Sequence, residues 1–173
     1  FGVTQYQKKK AAKEYAESVK TYSDNLELAT VTMLKGAGDA EDCGNLIKNV
    51  WYNAIYKEKD DETDKYTRPD GYFVSDFNDA LGNLFVDSSF SSKIDSIDKN
   101  QDTVNSLMKK LKNPPEEYKD AYDALSDFYD AYLALTGCAT DPSGSLQTYS
   151  STFNDADTDT LNAYKAMQQY LGD

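Results

Sequence analysis

The chain has 173 residues, with 18 Lys and Arg against 30 Asp and Glu, and therefore a formal net charge of −12. It contains no histidine, which excludes the commonest general base, the usual nitrogen ligand of zinc, and the Ser-His and Cys-His nucleophile pairs. The negative charge also opposes binding to the phosphate backbone of nucleic acids. We therefore expect no enzyme, no cofactor and no nucleic-acid partner, and the length predicts a single domain over residues 1–173.

Apolar residues recur at spacings of three and four along nearly the whole chain, which is the period of an α-helix. A first helix is predicted over residues 4–35, ending at Gly36 and Gly38, because glycine adopts the left-handed conformation that ends many helices. Asp39 is predicted to cap a second helix, which ends near Lys59. This helix is expected to turn the following residues inward: Cys43, Leu46, Ile47, Val50, Ala54 and Ile55.

The second half of the chain predicts a loop and three further helical segments. Asp60 to Gly71 has turn-forming composition and no apolar period, so we interpret it as a loop. A third helix follows over residues 73–111, in which the run Asp87-Ser88-Ser89 indicates a kink or a break. The segment 113–117, Asn-Pro-Pro-Glu-Glu, begins a fourth helix that runs to Gly137. A fifth segment carries Leu146, Tyr149, Phe153, Leu161, Tyr164 and Leu171.

Counting residues along antiparallel helices, which rise by ~1.5 Å per residue, predicts which residues lie at the same height. Cys138 falls at the level of Cys43, so the two either form a disulfide or remain as separate buried thiols. Above that level the third and fourth helices are expected to project as a hairpin with its tip at Lys109 to Glu117. The chain then either continues past Pro142 or reverses there. The predicted fold class is all-α: an elongated antiparallel bundle of four to five helices with a projecting two-helix hairpin.

Tyrosines supply the first candidate site. A two-helix hairpin has one seam in which to bury aromatic rings, and tyrosine left at a rim is a favoured contact residue in protein interfaces. Tyr118 and Tyr122 are therefore candidate binding residues for a protein partner or a glycan, with core packing as the alternative. Four more aromatic residues gather around the end of the second helix, and their helical spacing is typical of core packing. They are Trp51, Tyr52, Tyr56 and Tyr66.

The acidic part of the predicted loop is the second candidate site. Asp60, Asp61, Glu62 and Asp64 could hold a weakly bound cation, with a solvated acidic loop as the alternative. Two other segments, residues 98–102 and 155–159, resemble the start of an EF-hand. Both lack the sixth-position glycine and the closing glutamate of that motif. We reject both as calcium loops.

Two basic clusters, Lys8-Lys9-Lys10 with Lys13 and Lys109-Lys110 with Lys112, are interpreted as solvated helix surface. The apolar start Phe1-Gly2-Val3 before the first cluster is the pattern left when an anchor or signal segment is removed, or an ordinary domain boundary. No stretch offers the ~20 apolar residues of a membrane span, so any membrane attachment needs an anchor outside this sequence.

The composition favours an extracytoplasmic domain of the bacterial cell envelope or a secreted one. Its expected function is non-catalytic interaction with an unknown protein, glycan or other polymer at the cell surface. A carrier of a small ligand or cation that uses the acidic loop is one alternative. A structural spacer is the other.

Overall fold

The computed structural model describes residues 2–172, with the side chains of residues 4–172, and within this range the chain is helical with no strand. Phe1, which belongs to the predicted apolar start, and Asp173 lie outside the described residues. The helices are α1 (Gly2–Tyr56), α2 (Asp64–Thr67), α3 (Phe77–Val86), α4 (Ser88–Leu111), α5 (Lys119–Thr140) and α6 (Leu146–Gln168), with a 3₁₀ turn at Glu116–Tyr118. The predicted all-α bundle is confirmed.

Helix α1 is one continuous helix of 55 residues, so the predicted end at Gly36 and Gly38 is wrong. At ~1.5 Å per residue it is about 80 Å long. Gly36 instead makes room for its neighbours, since a Cβ atom there would lie 2.0 Å from Oδ1 of Asn100 and 3.0 Å from the ring of Tyr132. Gly38 faces open space. Tertiary packing therefore explains the glycine at position 36, although its local sequence predicts the end of a helix.

One face of α1 supplies much of the core of the bundle. Its buried apolar residues follow the helical period from the second third of the helix to its end. They are Tyr22, Leu26, Ala29, Met33, Ala37, Ala40, Cys43, Ile47, Val50, Trp51 and Ala54. The expectation that Ile55 points inward is wrong, because 41% of its side chain is exposed.

Helix α4 runs antiparallel to α1. Near the start of the packed part of α1, the Tyr22 hydroxyl donates to the carbonyl oxygen of Leu111 over 2.7 Å. Ten residues later along α1, the side-chain amide of Asn100 donates to the carbonyl oxygen of Thr32 over 3.0 Å. Residue numbers rise on one helix as they fall on the other, so the two chain directions are opposed.

The chain reverses between α5 and α6, which confirms the second of the two alternatives at Pro142, a reversal, and excludes the first, a continuation. The Tyr149 hydroxyl donates to the carbonyl oxygen of Cys138 over 2.7 Å, and the rings of Phe128 and Tyr164 lie 5.9 Å apart. Gly144, with φ at +84°, lies in the turn, and Ser145 begins α6 with a capping box. Helix α6 thus covers α1 and α5 and shortens the body of the bundle.

The run at Asp87 breaks the predicted third helix, so of the two alternatives, a kink or a break, the break is confirmed. Helix α3 ends at Val86, and the Asp87 carboxylate accepts a hydrogen bond from the Phe90 amide to begin α4. Helix α3 packs across the C-terminal part of α1, where the Trp51 and Phe77 rings are stacked at 5.6 Å. The expected loop between residues 60 and 71 contains the single turn α2.

The hairpin of α4 and α5 extends far beyond the level of Cys43, but it does not project alone. Because α1 is unbroken, it runs beside the hairpin to the tip, where the Tyr15 hydroxyl donates to Glu117 over 2.5 Å. The side chains of residues 4–18 are exposed. The element that projects from this bundle is therefore the N-terminal part of α1.

Candidate functional site

Tyr118 and Tyr122, the first candidate binding residues, are half-buried and pack against the core. The ring of Tyr118 lies 5.5 Å from that of Tyr22 on α1. Two helices alone would have one seam, whereas the continuous α1 supplies a second seam that covers these rings. The structure brings the two tyrosines together with Tyr22 in this packed seam.

The carboxylates of the acidic loop bind their own backbone. Asp60 accepts a hydrogen bond from the Glu62 amide over 2.8 Å, and Asp64 accepts one from the Asp60 amide over 3.0 Å. Asp64 also lies 3.5 Å from the Arg68 guanidinium, while the side chains of Asp61 and Glu62 are exposed. Among residues 2–172 no three acidic or cysteine side chains are grouped so that they could hold a metal ion. The loop carboxylates thus stabilise the turn before α2.

Cys43 and Cys138 are both buried and both free, so the predicted disulfide is wrong and the alternative of two thiols is confirmed. Burial raises the pKa of the Tyr149 hydroxyl, and the neighbouring Cys138 and Cys43 raise it further. Both cysteines therefore lie beside Tyr149, and their predicted equal height holds. The prediction from residue counts did not include α6, which places the buried Tyr149 side chain at this level. Burial raises the pKa of the Cys43 thiol to about 11 and also raises that of Cys138. Both thiols are therefore protonated and unreactive near neutral pH.

An exposed aromatic surface lies at the C-terminal end of α1. Tyr52, Ile55 and Tyr56 are 47%, 41% and 59% exposed, and the two tyrosine rings lie 4.5 Å apart. Beside them runs a groove of about 580 Å³ between α1 and the first turns of α6. We call this groove, with its exposed rings, the tyrosine groove. Its lining is Lys48, Asn49, Tyr52, Ile55, Tyr56, Ser145, Leu146, Gln147 and Ser150.

The aromatic cluster that the sequence placed around this helix end divides into buried and exposed members. Trp51 is 4% exposed, with the Phe77 ring of α3 and the Tyr149 ring of α6 against it, and Tyr66, which lies on α2, is 5% exposed. Tyr52 and Tyr56 lie on the face of α1 that these helices leave open. Helical spacing alone identifies the neighbouring residues but gives no sign of which face is covered, so the groove was missed.

A carboxyl pair joins α1 to α6 near the middle of the bundle. A hydrogen bond with Asp157 raises the pKa of Glu41 to about 7, with burial and the charge of Asp157 as further causes. Beside the pair is a cavity of about 220 Å³, which Leu34 and Leu161 also line. Pockets that bind small molecules usually measure about 300–1,000 Å³. This arrangement can hold one proton between two helices near neutral pH.

None of the helices within residues 2–172 combines the length and the apolar character needed to cross a membrane. Comparison of the chain with protein-family models, with curated proteins and with solved structures finds no match. The chemistry of its own surface must therefore indicate what the chain binds.

Proposed function

We propose that this chain is a non-catalytic interaction domain of the bacterial cell surface that holds a protein partner in the tyrosine groove. The observation that carries the proposal is the exposure of Tyr52, Ile55 and Tyr56 on adjacent turns of α1, beside a groove of about 580 Å³. Tyrosine offers a large rigid apolar area with a polar tip, and it is enriched at the centres of protein interfaces.

The lining of the groove favours a partner segment with both apolar and acidic groups. The rings of Tyr52 and Tyr56 and the side chain of Ile55 offer apolar area. Around them lie amide and hydroxyl groups from Asn49, Gln147, Ser145 and Ser150, which can donate and accept hydrogen bonds. Lys48 adds a positive charge in a chain that is otherwise strongly acidic, and it therefore suits a carboxylate on the partner.

Photocrosslinking in the native cells tests the proposed partner. Benzoylphenylalanine is introduced at Tyr52 or Tyr56, and at the exposed positions Tyr6 and Val86 as controls. We expect one protein adduct that is shared by positions 52 and 56 and absent from the controls. The purified partner should bind the unaltered chain and bind the double variant Tyr52→Ser, Tyr56→Ser at least tenfold more weakly, since central tyrosines contribute about 2 kcal/mol or more.

Two results would overturn the proposed protein partner. One is the same set of adducts from all four positions, which would indicate random encounter. The other is an adduct of 52 and 56 that contains polysaccharide and no protein, which would make the partner a cell-surface polymer. A double variant of two exposed tyrosines elsewhere, Tyr6→Ser with Tyr15→Ser, serves as the matched control for the purified partner.

The cell-surface location rests on the acidic composition of the chain. The two buried cysteines do not add to this support, because free thiols need no oxidising compartment. A membrane-impermeant amine label applied to intact cells tests it, because exposed lysines such as Lys59 and Lys165 should react. We expect labelling before lysis. Labelling that requires lysis would place the domain inside the cell and refute the location.

A spacer is the second candidate, and the length of α1 favours it. The N-terminal part of this helix continues beyond the bundle with exposed side chains over residues 4–18. Deleting residues 7–13 removes about two helical turns, or about 10 Å, and leaves the packed part intact. A spacer should lose function with the deletion and regain it when seven other helix-forming residues are inserted. A domain that acts through the tyrosine groove should retain partner binding in both variants.

A further inference from the structure

The fold brings the two basic clusters of the sequence to the same end of the molecule. The carbonyl oxygen of Leu111, within the cluster at 109–112, accepts a hydrogen bond from Tyr22 of α1. Glu117 at the same hairpin tip accepts one from Tyr15. Lys13 and Lys10 lie two and five residues before Tyr15 on the same helix, which corresponds to about 3 and 8 Å along the axis. Clusters that are about 100 positions apart in the sequence therefore form one basic end.

The net charge of this end is opposite in sign to that of the rest of the chain. Residues 1–20 and 109–120 together hold nine lysines and five acidic residues. The other 141 residues hold nine cationic and 25 acidic residues. The molecule thus carries a net charge of +4 at the basic end and −16 elsewhere, although the whole chain is acidic.

Six lysines of the basic end are available to bind an anionic partner. Within the part of the chain that the structure describes, Lys10, Lys20 and Lys119 lie within 4.0 Å of a carboxylate. The remaining six are exposed and make no such ion pair with the described residues. They are Lys8, Lys9, Lys13, Lys109, Lys110 and Lys112.

We propose that the basic end docks end-on against an anionic lipid bilayer. Each lysine near such a surface strengthens binding by roughly fivefold, and the effect falls off within a Debye length of about 8–10 Å. In the end-on orientation the acidic body points away from the surface. Asp60 and its neighbours follow the far end of α1, where Tyr56 lies 46 residues, or roughly 70 Å, from Lys10, so salt screens their repulsion.

A bilayer fits this end better than a nucleic acid does. Lys8, Lys9, Lys10 and Lys13 lie on the projecting part of α1, at the tip of the rod, and a flat surface can approach this tip without meeting the acidic sides. Tyr6, which is 67% exposed, borders the same side of α1 as Lys9 and Lys13. Tyrosine is enriched at the interface between lipid headgroups and water. A single-strand binder would instead need aromatic side chains interleaved with the lysines along a groove.

This surface is separate from the tyrosine groove. Lys13 and Tyr52 are 39 residues apart on α1, or roughly 60 Å. Docking at one end leaves the groove free at the other, so each proposal can fail without the other.

Vesicle cosedimentation with the whole chain tests the docking. The probes are vesicles of phosphatidylcholine mixed with phosphatidylglycerol, and vesicles of phosphatidylcholine alone. We expect binding to the mixed vesicles alone, weakening as salt is added. The triple variant Lys8→Gln, Lys9→Gln, Lys13→Gln should bind roughly 100-fold more weakly, from roughly fivefold for each lysine.

A matched variant removes three exposed lysines from the body: Lys59→Gln, Lys99→Gln and Lys165→Gln. It changes the net charge equally and should retain binding. Circular dichroism and melting temperature confirm that both variants fold. Equal loss in the two variants, equal binding to both kinds of vesicle, or no binding would each overturn the proposal. Binding to a DNA duplex that depends on Lys8, Lys9 and Lys13, without binding to vesicles, would assign the basic end to nucleic acid instead.

Discussion

The ring of Phe153 on α6 fills the space that a side chain at Gly44 of α1 would occupy. A Cβ atom at Gly44 would lie 1.8 Å from Cε2 of Phe153, far inside van der Waals contact. Phe153 is 2% exposed, and the ammonium group of Lys48 lies 5.5 Å from the centre of its ring. The missing side chain therefore lets α6 approach α1 closely and bury an aromatic ring between them.

Substituting Gly44 by alanine should destabilise the fold. Alanine favours a helix over glycine by about 1 kcal/mol, but the clash with Phe153 forces the core to shift, at a cost of about 1–3 kcal/mol. The same change at Gly38, which faces open space, should stabilise α1 by about 0.5–1 kcal/mol. Urea unfolding followed by circular dichroism measures both effects. Equal stabilisation by the two substitutions would contradict the close packing at Gly44.

These glycines show how far the sequence alone could predict the fold. The apolar period identified the helices and the all-α class, because periodicity reflects burial along one helix. The predicted stop at Gly36 and Gly38 failed because the local sequence does not distinguish a glycine that ends a helix from one required for packing, as at Gly36, or from one that faces open space, as at Gly38. The difference depends on Asn100 and Tyr132, which come from distant parts of the chain. The turn at Pro142 was likewise left open, since the reversal depends on α6 packing against α5.

Replacing Tyr118 by serine should destabilise the fold more than the same change at Tyr56. The ring of Tyr118 packs on Tyr22 at 5.5 Å, and losing this half-buried contact should cost about 1–2 kcal/mol. Tyr56 is 59% exposed, and an exposed substitution usually changes stability by about 0.5 kcal/mol or less. The midpoint of urea unfolding gives both values. A neutral Tyr118→Ser variant would return Tyr118 to the candidate binding surface.

The candidate sites were harder to predict than the helices. Periodicity placed Tyr118 and Tyr52 on helices but did not tell which ring a neighbouring helix covers. The continuous α1 covers Tyr118, whereas Tyr52, on α1 itself, is 47% exposed. The basic end likewise depends on the pairing of α1 with the α4–α5 hairpin, and no local pattern at Lys13 or Lys109 carries that information.

Thiol titration should find two free cysteines that react after unfolding and resist reaction before it. Cys43 and Cys138 are buried, and burial raises the pKa of both thiols, so the native protein should react slowly with an aromatic disulfide reagent. A reductant should leave the urea midpoint unchanged. A bridge between residues 43 and 138 would instead hide both thiols in the unfolded chain, and its reduction would lower stability by about 4 kcal/mol.

The pair of Glu41 and Asp157 should make stability fall as the pH rises toward neutrality. The hydrogen bond with Asp157 raises the pKa of Glu41 from its ordinary 4.5 to about 7, so between these values the native state binds more protons than the unfolded state. The contribution is full below pH 4.5 and is lost as the pH rises through 7. Above that pH, Glu41→Gln should be more stable than the unaltered chain by on the order of 1 kcal/mol, allowing for solvent screening, and near pH 4.5 the two should match.

Asp155→Asn, an exposed change two positions from Asp157 on α6, should keep the pH dependence of the unaltered chain. If Glu41→Gln keeps it as well, the two carboxyls do not share a proton.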